Sequence, residues 1–313
     1  MAEVVITGGQ GFIGRNLTNH LVALGEEVCS TYNYTLPTRS PKSNLSFHRV
    51  DVTRFEECLK LINQESPKVI FHLVAQPIVT TATRHPFSTE ELTIRGSYNI
   101  LEAIRQTGNP TAVIYVSSDK VYGSNEDATE SSELAGITHP YDVSKTCGDL
   151  IAQMYAKHYG LPIVIVRSAN IYGGGDFHWD RLIPGTCRSI IRGEEIVLRS
   201  NGKQLRDYIY VDDLMDAYVR IMDRMRQGKI KSGTAINFGS LSCYSPVEVV
   251  DGLLQSANQV DYPVTVLGQA KDEIDKQHIR YDFATELLGW EPRTNFQDGL
   301  DKTFAWYKDW FSK

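Results

Sequence analysis

Tyr141-Asp142-Val143-Ser144-Lys145 sets a phenol four residues ahead of a primary amine. At a helix start, positions i and i+4 share a face, so the two groups can converge. A phenol titrates near pH ~10 and is a poor base at neutral pH. Positive charge beside it favours phenolate, which can take a proton from a hydroxyl. A second pattern could hold phosphate. Gly8, Gly11 and Gly14 fall within Thr7-Gly8-Gly9-Gln10-Gly11-Phe12-Ile13-Gly14. The first glycine permits a tight turn, the second lets a pyrophosphate approach the backbone, and the third lets a helix pack closely on a strand. The N–H groups of the helix start then face the phosphates.

These residues need elements to place them. Val4–Thr7, Glu27–Thr31, Val69–Leu73, Ala112–Ser117 and Pro162–Arg167 are short runs, apolar nearly throughout, which is the pattern of buried parallel strands. Helical patterns over Gly14–Leu24, Arg54–Glu65, Ser88–Thr107 and Ser144–Tyr159 alternate with them. Strand and helix in turn predict an α/β, Rossmann-type doubly wound parallel sheet, with the glycine pattern between its first strand and first helix. From about residue 173 the chain changes character, with Gly173-Gly174-Gly175, Pro184, Gly193 and Gly202 as punctuation. Residues 1–172 are thus expected to form the dinucleotide domain and residues 173–313 mainly a smaller α/β substrate lobe. The chain is expected to re-enter the sheet around Tyr208–Val211 and Ala235–Phe238. Ligands in such folds sit at the carboxyl ends of the strands, which puts a substrate cleft between the lobes.

Composition excludes several function classes. The 313 residues are 42% hydrophobic and 22% charged, with a net charge of −6 and no basic run. Nucleic acid and anionic membranes are therefore not expected partners. No stretch approaches the roughly 20 apolar residues of a membrane span. Met1 leads directly into Val4-Val5-Ile6 without a basic segment, so no signal peptide is expected. Cys29, Cys58, Cys147, Cys187 and Cys243 lack metal-type spacing, which predicts reduced thiols, a cytoplasmic location and no metal site.

The chain resembles the extended short-chain dehydrogenase/reductases, the NAD-dependent epimerase/dehydratase family, over essentially its whole length. Thr7 to Gly14 is similar to that family's T-G-G-x-G-F-I-G, and Tyr141 and Lys145 to its Y-x-x-x-K. Asp51-Val52 resembles the pair that contacts the adenine ring, and Leu73-Val74-Ala75 the segment lining the cofactor. The resemblance implies a dinucleotide held by Gly8, Gly11, Phe12, Ile13, Gly14, Asp51, Val52, Leu73, Ala75, Tyr141 and Lys145. An acid usually holds the ribose 2′-hydroxyl about 20 residues beyond the glycines, where Tyr32-Asn33 stand here. Arg39 lies close enough in sequence to meet a 2′-phosphate. NAD is favoured on the resemblance, and the residues leave NADP open.

Ser118 aligns with the family's Ser/Thr, which hydrogen-bonds the reacting sugar oxygen and shares its proton with Tyr141. Asp119-Lys120 resembles the acid–base pair of nucleotide-sugar 4,6-dehydratases, in the Asp-Lys form found in CDP-glucose 4,6-dehydratases. In that chemistry oxidation at C4 acidifies the C5 proton, a base removes it, an acid protonates the departing O6 hydroxyl, and hydride returns to C6. With Asp119 as acid, Lys120 can be the base only if burial or neighbouring cations lower its proton affinity. Arg167-Ser168-Ala169-Asn170-Ile171-Tyr172-Gly173 resembles the R-x-x-N-x-Y-G segment, implying that Asn170 meets the substrate diphosphate. Asp180-Arg181-Leu182-Ile183-Pro184 is similar to CDP-glucose 4,6-dehydratases, and Arg206 and Arg280 stand where phosphate-gripping arginines occur. Thr93 replaces the Asn usual before Gly96.

The resemblance thus implies a catalytic set of Ser118, Asp119, Lys120, Tyr141 and Lys145, and a nucleotide-diphosphate sugar held by Asn170, Arg181, Arg206 and Arg280. It also implies a homodimer through helices such as Ser88–Thr107 and Ser144–Tyr159, the latter offering Ile151, Met154 and Tyr155. The alternative on the same scaffold is a 4-epimerase or 4-keto reductase in which Asp119-Lys120 only shapes the sugar pocket. A non-catalytic NAD(P)-binding sensor is more remote, because both Tyr141 and Lys145 are present.

Overall fold

The computed structural model describes residues 1–37, 42–269 and 274–313; Arg39 lies outside them. Six short runs, all but the third containing β-branched residues, start the main sheet: β1 (Val4–Thr7), β2 (Val28–Tyr32), β3 (Leu45–Arg49), β4 (Val69–His72), β5 (Ala112–Val116) and β6 (Ile163–Ser168). β1, β4 and β6 are buried at every position, as strands covered on both faces must be. Side chains alternate across β1, with Val4 and Ile6 in one apolar core and Val5 in a second on the opposite face.

Four later strands follow: β7 (Asn170–Tyr172), β8 (Ile196–Leu198), β9 (Leu205–Tyr210) and β10 (Thr234–Phe238). The main sheet has seven strands in the order β10-β6-β5-β4-β1-β2-β3, and every pair in it is parallel. Of the two expected re-entries, the one at Ala235–Phe238 is realised as β10 beside β6. Tyr208–Val211 does not join this sheet. β9 pairs instead with β7, with β11 (Cys243–Tyr244) and, beyond β12 (Val264–Val266), with β13 (Lys276–Gln277). A strand with half-buried Leu205, Arg206 and Tyr208 fits that smaller sheet better than the interior of a parallel one.

The helices that place the site are α1 (Phe12–Ala23), α2 (Phe55–Glu65), α3 (Val79–Arg84), α4 (Pro86–Glu90), α5 (Gly96–Thr107) and α6 (Pro140–Tyr159). The uninterrupted helix expected over Ser88–Thr107 is instead α4 and α5 joined by a π-helical turn, Glu91–Arg95. Thr93, buried in that turn, accepts a hydrogen bond from the Gln76 amide at 3.3 Å. On α6 the anticipated apolar stripe is only partly outward. Tyr155 is buried and donates to Glu102 on α5, whereas Leu150 and Met154 stay 51% and 42% exposed.

All five cysteines are unpaired. Cys29, His48 and Glu65 nonetheless bring ligand-type atoms within 4.8 Å of one another, a grouping no sequence spacing announced. Burial pushes the Cys29 thiol up to about 12, and Glu65 is engaged by His48 Nε2 at 3.0 Å and by the Ala2 amide, so the group is a neutral thiol beside a carboxyl that already has partners. Among the described residues no helix is long and apolar enough to cross a membrane.

Candidate active site

The chain leaves β1 through Gly8, whose φ of 72° is a left-handed conformation that glycine adopts without strain. Gly11 then caps α1 with no side chain, leaving the helix start open to an anion. The third glycine is required by contact: a Cβ at Gly14 would stand 2.3 Å from the Gly8 carbonyl oxygen and 2.7 Å from Gly9 Cα. At Gly11 an added Cβ would meet only that same oxygen, at 3.4 Å, so the backbone there is accessible to a ligand. The loop therefore fits a dinucleotide pyrophosphate.

A cavity of about 590 Å³ opens above this loop. Gly8, Gly11, Phe12, Ile13 and Gly14 form its floor, with Leu73, Val74 and Ala75 from the end of β4 along one side. Its reactive wall comes from the end of β5 and the start of α6, which carry Ser118, Asp119, Lys120, Tyr141 and Lys145. The five residues singled out as catalytic thus share one cavity with the dinucleotide loop. Asn170, at the end of the first domain, and Arg181, beyond it, also line the cavity.

Each reactive side chain is fixed by the local fold. Ser118 caps a 3₁₀ turn over Asp119–Tyr122, accepting from the Lys120 amide at 3.2 Å and donating to Asp119 Oδ1 at 3.0 Å. Lys120 Nζ reaches Asp119 Oδ2 at 3.1 Å and Oδ1 at 3.3 Å and also donates to Gln277 Oε1. The turn is anchored below by Tyr122, whose hydroxyl donates to Asn237 on β10 and accepts from Arg167 on β6, both at 2.7 Å. Arg167 in turn forks onto Asp149 of α6 at 2.9 Å through both nitrogens, with both side chains almost wholly buried.

Tyr141 follows Pro140 in the first turn of α6. His139 caps that helix, its Nδ1 accepting from the Tyr141 amide at 3.4 Å and its Nε2 meeting Thr83 Oγ1 on α3 at 2.7 Å. Burial pushes the Tyr141 phenol above its ordinary range, and contact with Ser118 acts the other way. Burial also lowers Lys145 to about 8, its Nζ donating to the Val116 carbonyl at 2.7 Å. A bare site with a neutral phenol is the result. A phenolate needs further positive charge, which an oxidised nicotinamide would supply when bound.

The remaining expected contacts are uneven. Asp51 accepts from the Thr53 amide and lines a separate cavity of about 670 Å³ beyond β3. Val52 lies in the core, where a Cβ on Gly96 would come within 2.7 Å of its Cγ2. Arg206 is held by the Ile274 carbonyl at 2.6 Å and lines a cavity of about 490 Å³ that shares Arg181, Leu182 and Tyr208 with the main one. Arg280 is not brought to the cleft. Its side chain is 53% exposed and forks onto Asp282 at 2.7 and 3.0 Å, because only its backbone amide is engaged inward, by Ala128.

Other groups near the cleft play structural parts. His72 is a core residue, lowered to about 3 by burial, while His178 lines the main cavity. Asp213 accepts from the Thr294 amide and hydroxyl, which is a structural task. Gln277 went unnoticed in the sequence. It contacts a residue 157 positions away, and an amide carries no proton chemistry to flag it.

The sheet order, the glycine loop and the Ser/Tyr/Lys wall define a nucleotide-binding oxidoreductase-type site. The NAD dependent epimerase/dehydratase family matches residues 4–239, and the chain belongs to that family. A CDP-glucose 4,6-dehydratase of Salmonella typhimurium is 27% identical, with 98% of this chain and 91% of that protein covered. A trifunctional UDP-glucose 4,6-dehydratase, 3,5-epimerase and reductase of Arabidopsis thaliana is 28% identical over 97% of this chain, which spans 47% of its length. The structure of a dTDP-glucose 4,6-dehydratase from Streptomyces venezuelae with NAD bound superposes with a TM-score of 0.89 at 25% identity, covering 98% of this chain and 97% of that one.

Proposed function

We propose that the protein is an NAD-dependent nucleotide-sugar 4,6-dehydratase that converts a nucleotide-diphosphate hexose to its 4-keto-6-deoxy form. The observation that carries this is Asp119 and Lys120 on one tight turn, facing the same cavity as Ser118, Tyr141 and the glycine loop. An epimerase needs the tyrosine and serine but has no use for an adjacent acid and base. The similarity to 4,6-dehydratases that act on CDP-, UDP- and dTDP-glucose supports the same conclusion.

Residues 1–172 with β10 are proposed to hold the dinucleotide, through Gly8, Gly11, Phe12, Ile13 and Gly14, and residues 173–313 mainly the nucleotide sugar, through Asn170 at the boundary, Arg181 and Arg206. Bound NAD would supply the hydride acceptor for C4 and the hydride donor for C6. Ser118 orients the O4 hydroxyl and Tyr141 takes its proton, with Lys145 providing positive charge behind the phenol. Asp119 and Lys120 then share the two proton transfers that remove water across C5–C6. The protein is proposed to act in the cytoplasm as a homodimer through α5 and α6, where Leu150 and Met154 are exposed.

Product analysis against CDP-, UDP-, dTDP- and GDP-glucose tests the proposal. A 4-keto-6-deoxy product carrying solvent deuterium at C5, with the C4 hydride relocated to C6, is expected. A C4-inverted sugar with its 6-hydroxyl intact would establish the epimerase instead.

A further inference from the structure

α3 is a weak element in a demanding place. It runs for six residues, and of these only Ala82 is buried. A helix that short does not hold its shape alone in water and depends on ties to its surroundings. Yet the stretch that leads through it walls the main cavity. Pro77, Ile78, Val79 and Thr80 line the same space as Tyr141, and the Pro77 carbonyl accepts from Arg181 at 3.1 Å.

This stretch is tied at both ends. At one end the Ile78 amide donates to Gln76 Oε1 at 3.1 Å, and the Gln76 amide donates to Thr93. At the other, Thr83 meets His139 Nε2 at 2.7 Å, and the sense of that bond is fixed. Thr83 Oγ1 has one proton and gives it to the Val79 carbonyl at 3.0 Å, so toward His139 it accepts and Nε2 donates. The second ring nitrogen faces the Tyr141 amide at 3.4 Å, which can only donate, so Nδ1 accepts. One tautomer of the ring serves both bonds.

Tyr141 has a particular need of its share. Pro140 opens α6 without an N–H, so the Tyr141 amide is the first donor at the helix start. The His139 carbonyl takes the Val143 amide at 2.9 Å, which leaves the ring to serve Tyr141. On its other side Tyr141 is held by Ser144, whose Oγ donates to the Tyr141 carbonyl at 2.8 Å.

We propose that His139 is a positioning residue with two separable tasks. Its Nδ1 seats the backbone of Tyr141 for the oxidation step, and its Nε2 holds α3 in place as a wall of the substrate cavity. This rests on the proposed part of Tyr141 in oxidising C4, a step that dehydratase and epimerase share. Sugar binding and C4 oxidation are thus linked through one ring set behind the cavity wall.

Two amides divide that ring between them. His139→Asn puts its Oδ1 where Nδ1 stands and caps a helix well, but it is too short to reach Thr83. His139→Gln carries an NH₂ out to the position of Nε2 but leaves the cap unmade. In the NAD-loaded enzyme, reduction of bound NAD is followed against the concentration of whichever of CDP-, UDP-, dTDP- and GDP-glucose reduces it in the native protein. His139→Asn should raise the half-saturating concentration about 3–10-fold and hold the limiting rate within about 2-fold of native. His139→Gln should slow the limiting rate about 10–100-fold, with half-saturation near native. Thr83 is exposed, so Thr83→Val disturbs no packing. It should repeat the effect of His139→Asn, and the two changes combined should add nothing further.

A merely structural histidine would impair both variants in the same way. Both variants moving the same quantity, or Thr83→Val leaving half-saturation unmoved, overturns the proposal. Nitrogen-15 spectra of histidine-labelled holoenzyme at about pH 8, where imidazoles are ordinarily neutral, read the ring directly, with His139 assigned from His139→Asn. A protonated Nε2 and a bare Nδ1 are expected, and the opposite tautomer refutes the proposal. If the product is a C4-inverted sugar, the dehydratase reading falls, yet the same split is expected because C4 is oxidised on either route. If none of the four sugars reduces NAD in the native protein, the oxidation step itself fails and the part of His139 in it fails too.

Discussion

Lys145→Met should make the dinucleotide-free protein more stable at neutral pH while abolishing its oxidation step. Burial holds the ammonium down to about 8 from an ordinary 10.5. At about 1.4 kcal/mol per unit, folding with this lysine charged costs on the order of 3 kcal/mol. Methionine removes that cost and forfeits the 2.7 Å hydrogen bond to the Val116 carbonyl, a loss of about 1.5 kcal/mol. The net gain is about 1–2 kcal/mol. Below about 8 the lysine is charged in both folded and unfolded chains, so the whole penalty is present. It shrinks as pH rises through the folded value of about 8 and is gone above the unfolded value of 10.5. Urea unfolding of native and variant protein across that window should show the variant ahead at neutral pH and the gap closing on the alkaline side. A variant that is weaker at neutral pH, or a gap that ignores pH, refutes the claim that burial of the Lys145 ammonium is held at a cost to stability.

Tyr141→Phe should abolish reduction of bound NAD by the sugar, a loss of at least about 10²–10⁴-fold, while calorimetry shows nucleotide-sugar affinity retained. Gly14→Ala forces a Cβ to within 2.3 Å of the Gly8 carbonyl oxygen, so α1 must move off the loop. The expected cost is about 1–3 kcal/mol of stability, with NAD affinity falling about 10-fold in a fluorescence titration. Arg167→Met leaves the Asp149 carboxylate buried without its partner, and urea unfolding should register a loss of about 3–5 kcal/mol.

The elements with simple periodicity were legible from the chain. The apolar runs of β1, β4, β5 and β6 appear as buried strands, and the glycine loop and the residues after β5 open on one cavity, because each of those signals is local. Tyr208–Val211 was misplaced, since an apolar run does not say which sheet it joins; the half-buried Arg206 and Tyr208 send it to the smaller one. The π-turn at Glu91–Arg95 has no pattern of its own, and the Thr93 hydroxyl within it accepts from the distant Gln76 amide. Arg280 was taken for a phosphate ligand from its position, but Asp282 two residues on claims its guanidinium. The opposite failure was Gln277, whose part depends on backbone carbonyls from a distant turn.

The order of strands also governs how the chain is made. β6 is buried at every residue, yet its outer neighbour β10 is encoded roughly 70 residues later, after most of the second lobe has begun. At a synthesis rate of roughly 5–20 residues per second, the nascent first domain presents an unpaired apolar edge for about 4–14 s. Such an edge is a template for pairing with another chain. Ribosome-bound intermediates released between Ser168 and Thr234 are therefore the aggregation-prone species of this protein, and a chaperone that recognises extended apolar segments has its window there. The same geography predicts that a truncation before β10 aggregates, even though every residue proposed to hold the dinucleotide is already present in the shortened chain.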